Sequence, residues 1–455
     1  MANRTPVISR RMFLKWSTLV AAGAAAAACA PVAPSAAPAP AGQEAAPAAA
    51  AAKTIVFWTQ DWNEPTKPIF EQQFIPAIKE EFGVDMQVSF LPWGQYMEKE
   101  LTAFAAGTMA DVFEPALEEA VDLALKKRAI PLDPFLANSS VIKMDEYFPG
   151  GYEVYKVKGQ LYCIPHRIDV RGNPYRISIL AENGITETPV TWEDMAAAAQ
   201  KLVKWEGDKL VRAGTSPWWT RPAHQYMHTL WQAGGELFTP DGTKAGFNTP
   251  EGVQALQYMI DLFHITYPKG QGQLETSPIP HFVTGREPLQ YGTGAWARSW
   301  VIENKPELLP DVNSGVALKG PKAQVALIFG GGLSISTQAK DPATAWQVIE
   351  FIGRDENLSA WVDSISGVPP RQSGLEWEWV KKDPGVMQGF IEIAAKWGRS
   401  SPVFPEWGRL FDLQSDELNK AYYGEQSAEE ALANTEKAWN EVLAEYAEEI
   451  VASQG

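Results

Sequence analysis

The chain has 455 residues, a net charge of -16 and 18 tryptophans. So acidic a surface argues against nucleic acid and against broad electrostatic docking on anionic lipid, and it favours neutral or cationic ligands. With only Cys29 and Cys163, neither a disulfide framework nor a Cys/His cluster is available, and stability must come from core size.

The first segment predicts export. Ser9-Arg10-Arg11-Met12-Phe13-Leu14-Lys15 precedes an Ala-rich apolar run that ends at Cys29. A basic start, a short apolar stretch and small residues describe an export signal. The apolar residues 16–28 are too few to span a bilayer comfortably. The paired arginines resemble the twin-arginine signal, which implies export in a folded state. Ala26-Ala27-Ala28-Cys29 is similar to a bacterial lipobox, with Ala26 where that pattern favours Leu. It implies lipidation of Cys29 and a membrane anchor there; cleavage at an ordinary small-residue site, without lipid, is the alternative. Residues 30–52 are almost wholly Ala and Pro. They predict a semi-extended tether reaching roughly 70 Å at about 3.1 Å per residue. Arg4, Arg10, Arg11 and Lys15 oppose only Glu44 here, so the remainder is more acidic than the whole chain. That remainder of about 400 residues is too long for one simple core and predicts two domains.

Residues 53–58 predict a strand that ends in a polar turn containing Trp58, Asp61 and Trp62. A helix is predicted over 68–81, with Phe70, Phe74, Ile75 and Ile78 on one face. A strand over 84–90, a helix over 96–106, a short strand over 111–113 and a helix over 115–127 follow. Such alternation predicts a layered, largely parallel α/β domain. Ligands gather beyond the carboxyl ends of such strands, which puts Trp58, Asp61, Trp62 and Glu114 on one rim. A hairpin is predicted over 152–165, turning at Lys158-Gly159, and His166 to Gly172 leads into a second region. Thr191 and Asp194 form a capping box for a helix reaching about Val203. Asn248-Thr249-Pro250-Glu251 opens another helix, whose face carries Val253, Leu256, Met259, Ile260 and Phe263. Residues 282–298 predict a Gly-punctuated loop and strand. Residues 326–336 predict a strand broken by Gly330-Gly331-Gly332. Asp341-Pro342 opens a helix, residues 367–371 form a rigid link, and Ser427 with Glu430 caps the last helix.

The tryptophans cluster in polar or Pro/Gly-rich surroundings, as in Pro217-Trp218-Trp219, Trp296-Ala297-Arg298-Ser299-Trp300 and Pro405-Glu406-Trp407. An indole is flat and apolar on its face and carries a polar N–H. A sugar ring has an apolar C–H face edged with hydroxyls. As a set, these tryptophans predict a carbohydrate surface, although for any single one a core position is the commoner outcome. His224 and His228 have helical i, i+4 spacing but lack the internal Glu of a zinc protease motif, so no metal and no cofactor are expected.

In order along the chain stand Ile55-Val56-Phe57-Trp58, the run 105–113 through Asp111-Val112-Phe113, and the run 157–165 ending Ile164-Pro165. They are followed by 183–194, 233–238, 247–252, 330–336, 367–371 and 423–432. This order resembles the extracellular solute-binding proteins of ABC transporters, in the carbohydrate-binding group, over residues 53–451. The resemblance implies an α/β two-lobe periplasmic-binding-protein-like fold of type II, with a hinge crossed more than once. Lobe one would be 53–165 plus 322–366, and lobe two 166–321 plus 367–455. A sugar would be held in the interlobe cleft by a non-enzymatic monomer and passed to ABC permease subunits. The resemblance puts ligand contacts at Trp58, Asp61 and Trp62, a cleft carboxylate at Glu114, a close loop at Gly331 and Gly332, and a cleft cation at Arg371. For Glu114 a helix N-terminal charge partner, for the glycines a strand bend, and for Arg371 a surface ion pair are the competing readings. Aromatic placement in lobe two adds Trp218, Trp219, Trp231, Trp296 and Arg298. His166-Arg167-Ile168-Asp169 departs from the more apolar run of the family and marks either extra polar contacts or the hinge. A secreted glycoside hydrolase, a lectin-like protein and a binder of non-sugar solutes are the alternatives. A hydrolase needs two facing carboxylates, and no hydrolase signature accompanies the acids.

Overall fold

The structure is a computed structural model that describes residues 53–115, 119–215, 222–268, 274–383, 385–402 and 404–448. The export signal, the tether, Cys29, Trp218 and Trp219 lie outside the described residues.

Strand β1 (Lys53–Gln60) is followed by a π-helical turn at Ile69–Phe74 and helix α1 (Ile75–Phe82), which ends at Gly83 in the left-handed region. Strand β2 (Val84–Leu91) pairs with β1 in parallel over its full length, from Lys53 opposite Val84 to Gln60 opposite Leu91. Helix α2 (Trp93–Ala106) starts directly after Pro92, three residues earlier than its apolar spacing suggests. Strand β3 (Val112–Phe113) lies parallel to the other side of β1. Helix α3 (Ala120–Leu125) follows. The parallel strands and their returning helices follow the alternation read from the sequence, because Ile55, Phe57, Phe70, Phe74 and Ile78 all bury their side chains.

A short hairpin pairs Lys156–Val157 with Gln160–Leu161 around Lys158 and Gly159, both at positive φ. Strand β4 (Ile164–Val170) follows. Helix α4 (Trp192–Leu202) carries the expected capping box, with Thr191 accepting from Asp194 N and Asp194 accepting from Thr191 N. Helices α5 (Ala223–Ala233) and α6 (Pro250–Thr266) pack together, the first buried at every position. Of the loop and strand expected over 282–298, residues 285–296 form the loop, with isolated bridges at Leu289 and Thr293 in place of a strand. Short helical turns flank it, at His281–Thr284 and at helix α7 (Ala297–Asn304), which begins just after Trp296.

Strand β5 (Ala326–Ile335) is buried at all ten positions. It runs through its glycines without a break, although its register against β4 shifts between Gly331 and Gly332. It is antiparallel to β3 at one end and to β4 along its middle. Helices α8 (Pro342–Gly353), α9 (Asp355–Ser364) and α10 (Val386–Trp397) follow, then strand β6 (Gly398–Ser400), parallel to the start of β5. Helices α11 (Trp407–Tyr422) and α12 (Ala428–Ala444) end the described chain. The sheet order is thus β6-β5-β3-β1-β2, with β4 also on β5.

Candidate functional site

The carboxyl ends of β1 and β3 face the middle of β4 and β5, and α7 closes the opposite side. Between them lies a cavity of about 410 Å³. Gln60, Trp62, Asn63 and Trp93 form one wall; Arg167, Asp169, Arg171, Phe329 and Gly330 form the floor; Trp296, Ser299, Trp300 and Glu303 form the other wall. Two roomier concavities, of about 800 and 700 Å³, are surface grooves on α6 and beside β6. The smaller one sits where open α/β sheets place their ligands, and it alone draws on both sides of the sheet.

Glu114 organises the floor from behind. Its carboxylate is fully buried and accepts from Thr59 Oγ1 at 2.7 Å, Gln60 N at 3.2 Å, Trp62 Nε1 at 3.2 Å and Arg167 Nη1 at 2.6 Å. The Arg167 guanidinium in turn lies 4.2 Å from the centre of the Trp62 ring and 3.2 Å from Asp169 Oδ2. One carboxylate therefore fixes an indole and a guanidinium together. Burial alone would lower the Arg167 pKa, but Asp169 and Glu114 outweigh it and hold the group charged. His166 stacks on Trp361 at 4.1 Å, nearly parallel, and its Nε2 is 2.6 Å from Arg167 Nη1. Burial first, and then the Arg167 charge, push its pKa well below the usual range, so it accepts as a neutral ring.

A second guanidinium repeats the arrangement. Arg171 lies 4.6 Å from the ring centre of Trp296 and 4.9 Å from that of Phe329. The helical pair from the sequence sits beneath it. His224 packs against Phe411 and Phe329, and His228 against Tyr291. Burial and then Arg171 lower the His228 pKa to about 3. Among the described residues no group of three or more His, Cys, Asp or Glu side chains could hold a metal ion. At the outer edge Glu303 is exposed, and its pKa is raised by desolvation and then by Glu64.

Of the residues expected to contact ligand, the structure brings Trp62 and Trp296 to the cavity. Trp218 and Trp219 lie outside the described residues, and the remaining ones are placed elsewhere. Trp58 packs half-buried on the core of β1, and Asp61 faces Lys67 at 3.3 Å. Glu114 is satisfied behind the wall. Trp231 is covered by Arg399, 4.2 Å from its ring. Arg298 is buried between Asp383 at 2.8 Å and Asp363 at 3.0 Å, tying α7 to α9. Arg371 bonds Asp355 at 3.0 Å. Gly331 and Gly332 are packing positions. A Cβ on Gly331 would stand 2.4 Å from the Arg167 guanidinium carbon, and one on Gly332 would stand 2.4 Å from Ile164 O. Their neighbour Gly330 lines the cavity instead.

Arg167 and Asp169 belong to the run read from the sequence as extra polar contacts or the hinge. Their spacing, continued to Arg171, recurs every second residue, which puts side chains on one face of a strand. Trp296, Ser299, Trp300 and Glu303 are spaced i, i+3, i+4, i+7, one face of a helix. The loop and strand read from the sequence end at 298, so that face lies mostly beyond them.

The architecture is a two-lobed α/β fold of type II. The chain belongs to the bacterial extracellular solute-binding protein family, whose profile matches residues 57–358. A binding protein of Brucella abortus (strain 2308) is 21% identical over 379 residues, covering 83% of this chain and 90% of that protein. Among solved structures, an ABC transporter solute-binding protein of Thermotoga lettingae, bound with α-D-tagatose, superposes with a TM-score of 0.74 at 20% identity. It covers 86% of this chain and 100% of that one. The sugar-binding protein MalE of Xanthomonas citri gives a TM-score of 0.71 at 22% identity, over 86% of this chain and 98% of its own. Among the described residues no helix is long and apolar enough to cross a membrane.

Proposed function

We propose that the protein captures a sugar in this cleft and delivers it, unaltered, to an ABC permease. The observation that carries the reading is an indole on each wall set against a guanidinium of the floor: Trp62 with Arg167, and Trp296 with Arg171. Indole surfaces suit the C–H face of a sugar, and in-plane N–H donors beside carboxylate and amide acceptors suit its rim of hydroxyls. The tagatose-bound relative and the sugar-binding protein MalE, of the same fold, support the ligand class. Lobe one is taken as 53–165 plus 322–366, and lobe two as 166–321 plus 367–455. Ligand touching both favours the closed arrangement by population shift, and the permease reads that form. Export by the twin-arginine signal, lipidation of Cys29 and the tether at 30–52 would hold a monomer on the extracytoplasmic side of the cell membrane, within reach of that permease. Thermal-shift and calorimetric titration against a panel of saccharides tests the reading. A saccharide that binds only the native state raises the melting temperature, and chromatography of the recovered ligand returns it intact. Heat only from peptides, polyamines or metal ions, or cleavage of the saccharide, would overturn it.

A further inference from the structure

The walls of the cavity differ sharply in depth. Gln60 and Arg167 are 2% and 6% exposed, whereas Trp93, on the same wall as Trp62, is 44% exposed. Trp93 is the only tryptophan among the large exposed apolar side chains of the described residues. It is held on rigid backbone, at the first position of α2 directly after Pro92 and the end of β2. Its ring centre is 5.8 Å from that of Trp62, with the planes 30° apart. The two indoles therefore make one continuous wall, with Trp62 deep and Trp93 at the mouth. Arg167 already covers part of Trp62 and Arg171 part of Trp296, so Trp93 offers the freest indole face. Trp300, half-buried on α7, stands on the opposite wall.

The volume sets the second constraint. At about 30 Å³ per water-sized group, 410 Å³ holds roughly fourteen such groups. A hexose unit has about a dozen non-hydrogen atoms, and bonded atoms pack more closely than waters, so the cavity takes one to two rings. A longer chain extends to the mouth, where Trp93 is the exposed indole.

Resting on the sugar reading above, we infer that the ligand is an oligosaccharide, and that Trp93 is an outer stacking position which sets its preferred length. The deep part of the cleft binds the first one or two rings, and the ring that follows lies on the Trp93 indole.

The test is calorimetric titration of wild type, Trp93→Ala and Trp93→Phe with gluco-, manno-, galacto- and xylo-saccharides, each from one to four units. Wild type should gain affinity with length within the series it binds. Trp93→Ala should lose roughly three- to tenfold on the longer members, the size of one aromatic contact, and clearly less on the shortest bound member. Trp93→Phe should restore most of the gain, and the melting temperature without ligand should hold in both variants because the side chain is exposed. An equal loss at every length, or no gain with length in wild type, overturns the outer position and leaves sugar capture standing. No binding by any of the saccharides overturns both.

Discussion

Replacing Glu114 by alanine tests how the cleft is held. The carboxylate is fully buried and receives donors from Thr59, Gln60, Trp62 and Arg167. Breaking a buried ion pair from one side costs about 3–5 kcal/mol, because the remaining charge keeps its desolvation penalty. Here Asp169 still faces Arg167 at 3.2 Å, which offsets part of that cost. Against this, Thr59, Gln60 and Trp62 are left with donors to satisfy, at about 1–3 kcal/mol for each one that stays buried and unpaired. The two corrections oppose each other, so about 3–5 kcal/mol is expected in urea unfolding followed by tryptophan fluorescence. Glu114→Gln should cost less, since its amide oxygen keeps an acceptor for some of the donors. The double variant with Arg167→Ala should be less destabilised than the two single changes added, because the stranded charge is gone. Sugar affinity should fall in all three, since Trp62 and Arg167 lose their common anchor. A loss below about 1 kcal/mol in Glu114→Ala, or strict additivity with Arg167→Ala, would show that the carboxylate does not organise the site.

Gly331→Ala puts a methyl 2.4 Å from the Arg167 guanidinium carbon; it should cost about 1–3 kcal/mol and weaken ligand binding, as read by unfolding and calorimetry. Trp296→Ala removes a half-buried indole from the cavity wall and should lower sugar affinity about tenfold while shifting the melting temperature little. Glu100 is fully buried, and its pKa is raised well above the usual carboxylate range by burial first and by Glu119 second, with Arg128 opposing. The folded state then holds a proton that the unfolded state releases, so this group's stability is complete below the ordinary carboxylate range and is lost as pH rises through the folded value. Glu100→Gln should accordingly flatten the fall of melting temperature between mildly acid and alkaline pH, and parallel curves for wild type and variant would refute the shift.

Local patterns settled much of this molecule. The strand at residues 53–58, the alternating β2, the capping boxes of α4 and α12 and the Asp341 cap all follow from contacts within a few residues. These are interactions a sequence displays directly. Composition pointed to the ligand class proposed above, through the tryptophans and the acidic balance. The tertiary structure alone decided which aromatic and charged groups meet. Glu114 lies at the expected strand end, yet the convergence of Thr59, Trp62 and Arg167 draws its carboxylate inward. Arg298 and Arg371 looked suited to a cleft, but acids far along the chain hold them. Trp231, likewise, is covered by Arg399, 168 positions away. A buried charge takes whichever partner the fold brings within hydrogen-bonding reach, and that choice depends on long-range strand pairings such as β4 with β5, which leave no short-range mark in the sequence.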